Sequence, residues 1–317
     1  MIDQEMGLLC HGDDGEFTVA DLTYRFDDEV ELCVIHHSPR SSIIPMQWRV
    51  KKLPTPPDMK IYPNSLTTDT IFPIDGRSLC WVDYYQGMLL VDVLRANSDS
   101  DNPSADQTTP LLRYIPLPKQ ALKSRRPYPD AFSPDPYRYA CITDDGIVKL
   151  VCIFTENAQP TFTIITWSLD IRKGNWIKDC GTIMRDSEFF GMLEASHQSN
   201  HLLPRVTPSF PVVSLADPDI ICFLLKETNK VRNTYWAIEV NMRKKVLLST
   251  TLYIGEEEEE GYSPTKPCIH FYGQYFVPSK LSSYLGHDAS KSQEISMLMK
   301  EQAIQRRVMR KEAKLNN

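Results

Sequence analysis

Residue types able to do chemistry are present but thinly spread. "HQSNH" sets His197 and His201 at the i, i+4 spacing of helical metal ligands, with Glu194 close by. A zinc hydrolase of that pattern needs a glutamate directly after the first histidine as its base, and Gln198 stands there instead. The next residues, "LLPRVTP", read as loop, so no metal site is expected. His36 and His37 adjoin at a strand end, point to opposite faces and read as surface residues. In "CWVDYYQGMLLVDVL", residues 80–94, Asp83 and Asp92 flank a glycine turn beside Trp81, Tyr84 and Tyr85. Two carboxylates under an aromatic wall would suit acid–base work on a glycosidic bond, but only if the fold supplied a second acid at close range. Nothing local does, so both aspartates read as turn-flanking and strand-end residues. Gly-x-Ser-x-Gly, a phosphate-binding glycine loop and Gly-x-Gly-x-x-Gly are all missing from the sequence. The expectation is therefore no catalytic residue, no metal and no cofactor.

The stretch with most binding chemistry is "KQALKSRRPYPDAFSPDPYRYA", residues 119–140. Arg125, Arg126, Tyr128, Tyr137 and Arg138 are of the types enriched at interface hot spots, and the prolines among them lower the ordering cost of docking. These five are the expected partner surface. The run Glu256–Glu260 between two glycines reads as a solvated loop, and Arg306, Arg307, Arg310, Lys311 and Lys314 lie on an expected terminal helix.

The elements that must position these residues repeat. "LLCHGDDGEFTVADL", "LCWVDYYQGMLLVDVL", "YACITDDGIVKLVCIF" and "PVVSLADPDIICFLL" are each two apolar runs about an Asp, Gly or Pro turn, the pattern of a β-hairpin. "WSLDIRKGNW" and "WAIEVNMRKKV" form a second repeated pattern, and the spacing of the whole is roughly 60 to 70 residues, which suggests propeller blades with long loops. Four blades are expected over about residues 7–54, 66–118, 137–184 and 208–254, with one or two further strands in 268–278. Trp81, Trp167 and Trp236 are expected to be buried at equivalent positions between blades. Along 79–84, alternation puts Leu79, Trp81 and Asp83 on one face and Cys80, Val82 and Tyr84 on the other. Only the tail reads as helix. The fold class is all-β and propeller-like, with four to five blades, divided as one domain over 1–284 and a basic helical tail over 285–317.

The order "LCWVDYYQGMLLVDVL", "LRYIPLP", "DGIVKLVCI", "FTIITWSLD", "WIKD", "FPVVSLADPDIICFLL", "WAIEVNMRKK" resembles the grass-expanded plant family known as domain of unknown function 1618, from about residue 7 to 255. The resemblance implies a propeller-like domain similar to F-box-associated propellers, and it implies no activity, cofactor or catalytic residue. Members of that family carry more sequence ahead of the first hairpin, so a shortened product lacking an opening blade is an expectation.

A net charge of -6 with pI near 5.7 offers no general attraction for nucleic acid or anionic membrane. No apolar run reaches the length of a membrane span, no leader pattern opens the chain, and the eight cysteines lack any CxxC pair. Cytosol or nucleus, with buried free thiols, is the expected setting. The function these features favour is a non-enzymatic protein–protein interaction module. The alternative is a small-ligand binder or hydrolase using a propeller's central channel.

Overall fold

The computed structural model describes residues 6–12, 15–24, 29–39, 47–57, 59, 66–97, 111–123, 135–155, 161–195, 203–228 and 233–255. All of them lie within one compact unit, Met1–Phe276. The expected tail helix, the acidic run, the 268–278 strands, His197 and His201 fall outside the described residues.

Four antiparallel sheets follow one another along the chain. Sheet 1 holds β1 (Met6–His11), β2 (Glu16–Tyr24), β3 (Glu29–His37) and β4 (Arg49–Pro54). Sheet 2 holds β5 (Thr70–Ile74), β6 (Ser78–Asp83), β7 (Gly87–Asp92) and β8 (Leu112–Pro116), with the short helix α1 (Val93–Asn97) between the last two strands. Sheet 3 holds β9 (Arg138–Ile142), β10 (Val148–Thr155), β11 (Phe162–Asp170) and β12 (Asn175–Lys178), and β13 (Met184–Arg185) adds to β11. After helix α2 (Asp186–Ala195), sheet 4 holds β14 (Ser209–Val213), β15 (Ile220–Thr228), β16 (Asn233–Asn241) and β17 (Val246–Gly255). In every sheet each strand pairs with the next in sequence, except that β13 pairs with β11, and the first strands line up beside one another: β1 by β5, β5 by β9, β9 by β14. This is the all-β series of blade-like sheets that the repeated hairpins imply.

Three apolar seams hold the series together. Leu22, Leu32 and Val34 of sheet 1 meet Leu79, Trp81 and Leu89 of sheet 2. Cys80, Val82 and Met88 on the other face of sheet 2 meet Leu150, Cys152 and Trp167 of sheet 3. Val151, Ile153 and Ile164 on the far face of sheet 3 meet Phe223, Leu225 and Ile238 of sheet 4. All six residues of β6 are buried, because its two alternating faces serve two different seams.

Three expectations need correction. Helix is not confined to the tail: Asp92 caps α1, accepting from Arg95 N at 3.0 Å. In α2, Glu188 Oε2 reaches back to accept from Arg185 N at 3.0 Å while Phe189, Phe190, Met192 and Leu193 are buried. The three tryptophans are not equivalent: Trp167 and Trp236 sit on the third strands of their sheets, Trp81 on a second strand. Trp236 is only half-buried, because it pairs across β17 with Leu252, which is itself open to solvent. The seven described cysteines are free thiols, but only Cys80, Cys141 and Cys152 are buried, and Cys10 and Cys180 are exposed.

Candidate functional site

The β6–β7 turn and the head of β9 meet in one polar junction. Asp83 is buried, and its carboxylate accepts from the backbone N of Thr67 at 2.9 Å and of Tyr85 at 2.8 Å. It anchors the turn. Asp92 spends one oxygen on the α1 cap and the other on Arg77 at 2.8 Å. Both therefore do the structural work that the sequence assigns them.

The fold does bring other acids to this turn, and sequence reasoning missed them. Asp69, just ahead of β5, accepts from Tyr84 N at 2.7 Å. Asp135, just ahead of β9, accepts from the Tyr85 hydroxyl at 2.5 Å and from Tyr137 N at 2.8 Å. Burial pushes the Asp135 carboxyl above the usual carboxylate range, Asp69 adds to the push, and the two hydrogen bonds with Arg138 oppose it. Each acid lies at the entrance to a first strand of its sheet, a relation that only the topology creates.

Arg138 does not occupy the surface expected of it. It is 4% exposed, and its guanidinium donates to Tyr84 O and, at 2.8 Å, to Ala121 O, while lying 3.9 Å over the centre of the Tyr85 ring. The reason is register: Arg138 opposes Cys152 on β10, so its side chain shares the face of sheet 3 that turns to sheet 2. Tyr137 is half-buried against the sheet 3–4 seam. Arg125, Arg126 and Tyr128 fall outside the described residues.

The carbonyl that Arg138 holds belongs to a short 3-10 turn, Ala121–Lys123. Ala121 is fully buried, so the turn is pinned on both counts. Beside it the sheet 2–3 seam opens into a cleft of about 820 Å³. Lys119, Gln120 and Lys123 form one wall; Phe154, Thr163 and Arg185 form the other, with Thr161, Phe162 and Asp186. Phe154 opposes Thr163, which opposes Arg185, so three neighbouring strands present them side by side. The base is rigid: Phe154 packs edge-on to Trp167 at 6.1 Å and Phe162 edge-on to Phe189 at 5.4 Å. Gln120 Oε1 accepts from Lys178 Nζ at 3.2 Å, tying this wall back to sheet 3. Among the described lining residues, three cations against one carboxylate make this a basic concavity on an acidic chain, with the Phe154 ring open in it. Such a site can hold an anion beside an apolar group.

A second polar cluster closes one end of sheet 1. Thr18 Oγ1 lies 2.9 Å from His11 Nε2 and 3.1 Å from His36 Nδ1, and the two rings stack with centroids 5.1 Å apart. His36 is thus half-buried and engaged, unlike the surface residue expected, while His37 lies on the opposite face against Phe17. Burial, then the neighbouring His11, lowers the His36 pKa. Among the described residues, no group of three or more His, Cys, Asp or Glu is arranged to hold a metal. No described helix is long and apolar enough to cross a membrane.

No curated protein matches the chain. Solved structures do match in outline. A cobalt-substituted Synechocystis ACO is 7% identical over 80% of this chain and 50% of its own, with a TM-score of 0.36. A polysaccharide lyase of family PL25, an ulvan lyase bound to -[GlcA(1-4)Rha3S]-, is 6% identical over 80% of this chain and 56% of its own, with a TM-score of 0.36. An endo-arabinase from Bacteroides thetaiotaomicron VPI-5482 is 10% identical over 78% of this chain and 80% of its own, with a TM-score of 0.31. The chain spans about half the length of the first two. Likenesses this distant carry no argument about activity. The sequence itself is more specific: residues 81–222, from Trp81 in β6 to Cys222 in β15, match the family described as protein of unknown function (DUF1618).

Proposed function

We propose that the chain is a non-enzymatic protein–protein interaction module whose partner surface centres on the connection between β8 and β9. The observation that carries the reading is the cleft. A rigid apolar seam ends in a concave, aromatic-based opening, and the wall that presents Lys119 and Lys123 belongs to the same connection as Arg125, Arg126 and Tyr128. Binding residues on loops held by a rigid scaffold are the usual arrangement for recognition. In this reading the sheets belong to a propeller, the partner is a protein and not a nucleic acid or membrane, and no cofactor takes part. The free thiols agree with a cytosolic or nuclear setting.

The alternative, hydrolysis or small-ligand binding at the axis of the series, has one observation in its favour, the Asp69–Asp135 neighbourhood at the heads of β5 and β9. Asp135 is already engaged by Tyr85 and Tyr137, which favours a structural role for it. The test is affinity capture from the protein's own tissue with wild type, with Lys119→Glu/Lys123→Glu, and with Arg125→Ala/Arg126→Ala/Tyr128→Ala. A specific partner lost in both variants, with unchanged circular dichroism, supports the reading. A captured set indifferent to both variants overturns it.

A further inference from the structure

We infer that the cleft between sheets 2 and 3 takes an acidic, extended peptide segment that carries an aromatic or aliphatic side chain. This rests on the interaction reading above and names the partner chemistry. The cleft's charge is the first ground. Among the described lining residues, Lys119, Lys123 and Arg185 stand against Asp186, a local charge of about +2 on a chain of net charge -6. Among the described residues, no ion pair engages the side chains of Lys119, Lys123 or Arg185. Glu188, the acid nearest Arg185 in sequence after Asp186, accepts from Lys245 and from the backbone N of Arg185. Glu188 still feels the Arg185 charge, but no ion pair among the described residues fixes the guanidinium, which leaves it able to turn to a ligand.

Polarity and size give the second ground. Thr161 Oγ1 is buried in the cleft wall and has no hydrogen-bond partner among the described residues. A hydroxyl left unsatisfied costs free energy that an acceptor on a ligand would recover. Phe154 offers ring surface between the charged walls, while Phe162 is buried against Phe189 and Phe190 behind the lining; one apolar ring among a few fixed polar groups is the mixture typical of binding clefts. A cleft of about 820 Å³ admits a few side chains, not a folded face. The two lysines are compact charges on flexible stems, so they read acidic composition more than one fixed geometry; Arg185 supplies the planar fork for one carboxylate.

A nucleic acid fits less well. Tight binding to a phosphate backbone takes several cationic contacts in a row, and the net negative chain repels a long polyanion beyond this one cleft.

The test uses the full chain and a fluorescein-labelled hexapeptide of five glutamates around one phenylalanine, followed by fluorescence anisotropy. Binding is expected at low ionic strength, weakening as salt rises. The glutamine counterpart should not bind, and a peptide with glycine for phenylalanine should bind more weakly. Lys119→Glu/Lys123→Glu should weaken binding about tenfold or more, since reversal replaces steering attraction by repulsion, with circular dichroism unchanged. Arg185→Gln supplies a milder second variant on the opposite wall and should also weaken it. Absence of binding, equal binding of the glutamine peptide, indifference to both variants, or full displacement by millimolar inorganic phosphate would each overturn the inference, the last because it marks a small-anion site. If tissue capture depends on the cleft while the acidic peptide fails, the interaction reading stands and this one falls.

Discussion

Arg138→Met removes a guanidinium that is 4% exposed and leaves an unbranched stem of similar length in its place. Two buried acceptors, Tyr84 O and Ala121 O, then lose their charged donor, and the Tyr85 ring loses the cation stacked on it at 3.9 Å. An unsatisfied buried carbonyl costs about 1–3 kcal/mol. A partly desolvated cation–π contact is worth about 0.5–2 kcal/mol. The expected loss is therefore about 2.5–8 kcal/mol, against a total stability of about 5–15 kcal/mol for a folded domain. In urea, followed by tryptophan fluorescence and circular dichroism, the midpoint should fall by about 1–2 M at unchanged slope. The loss should also depend on pH. The Asp135 carboxyl is raised above its ordinary 3.8 by burial, and Arg138 is among the groups that pull it back. Removing Arg138 raises the folded-state value further and leaves the unfolded-state value alone. A carboxyl raised in this way destabilises the fold when ionised, so the deficit is full above the variant's folded-state value and shrinks as falling pH protonates Asp135. The wild-type minus variant difference should be larger at pH 7 than at about pH 4. A midpoint shift of less than about 0.3 M, or a deficit that grows as pH falls, would refute the reasoning.

Other perturbations test other parts. Trp167→Ala should cost about 3–5 kcal/mol, as for a fully buried core aromatic, and Trp236→Ala distinctly less because that ring is only half-buried; equal losses in urea titration would contradict the placement of the two rings. With iodoacetamide under native conditions, read by mass spectrometry, Cys10 and Cys180 should be alkylated first. Cys80, Cys141 and Cys152 should stay intact, since burial pushes the Cys141 and Cys152 thiols up to about 12 and hides all three; early labelling of Cys152 would count against the seam. Gly87→Ala should destabilise the protein and lower its thermal midpoint, because an added Cβ would lie 2.5 Å from the Tyr114 ring and 2.7 Å from the Ile115 carbonyl oxygen; a neutral result would mean that β7 and β8 are spaced more widely than described.

The sheets were legible because their signal is local. Each hairpin announces itself by Asp and Gly between β-rich runs, and the four strand groups start and end within a few residues of the spans that those runs suggest. The two-faced burial of β6 could also be read, since Leu79 and Trp81 alternate with Cys80 and Val82. Helix α2 was hidden because Phe189, Phe190, Met192 and Leu193 form a short apolar cluster that reads equally well as strand. The site was less legible because its parts are joined only by tertiary pairing. Lys119 and Arg185 are far apart in sequence and face each other only across the cleft, and Thr161 gains meaning only once its hydroxyl is seen to lack a partner among the described residues. Arg138 has the composition of a contact residue, and side-chain type alone cannot separate a guanidinium offered to a partner from one spent on two internal carbonyls.

That last point bears on how binding data on this protein must be read. Arg138 holds Ala121 O, and Ala121 begins the turn that ends in Lys123. One side chain thereby couples the stability of the sheet 2–3 seam to the position of the cleft's basic wall. Loss of a partner in Arg138→Met would not show that Arg138 touches it. Arg138→Lys separates the two roles: it keeps the charge near Asp135 and can satisfy one of the two carbonyls, but it cannot span both as a planar fork does. If the cleft binds a partner as inferred, Arg138→Lys should fold with a smaller stability deficit and still bind more weakly than wild type, because the turn is held at one point instead of two. Lys119→Glu/Lys123→Glu should do the reverse, with stability near wild type and binding reduced, since neither lysine is buried or paired among the described residues. The pair of variants therefore distinguishes a residue that positions the surface from residues that form it, and equal behaviour of the two would remove the case for coupling through Ala121.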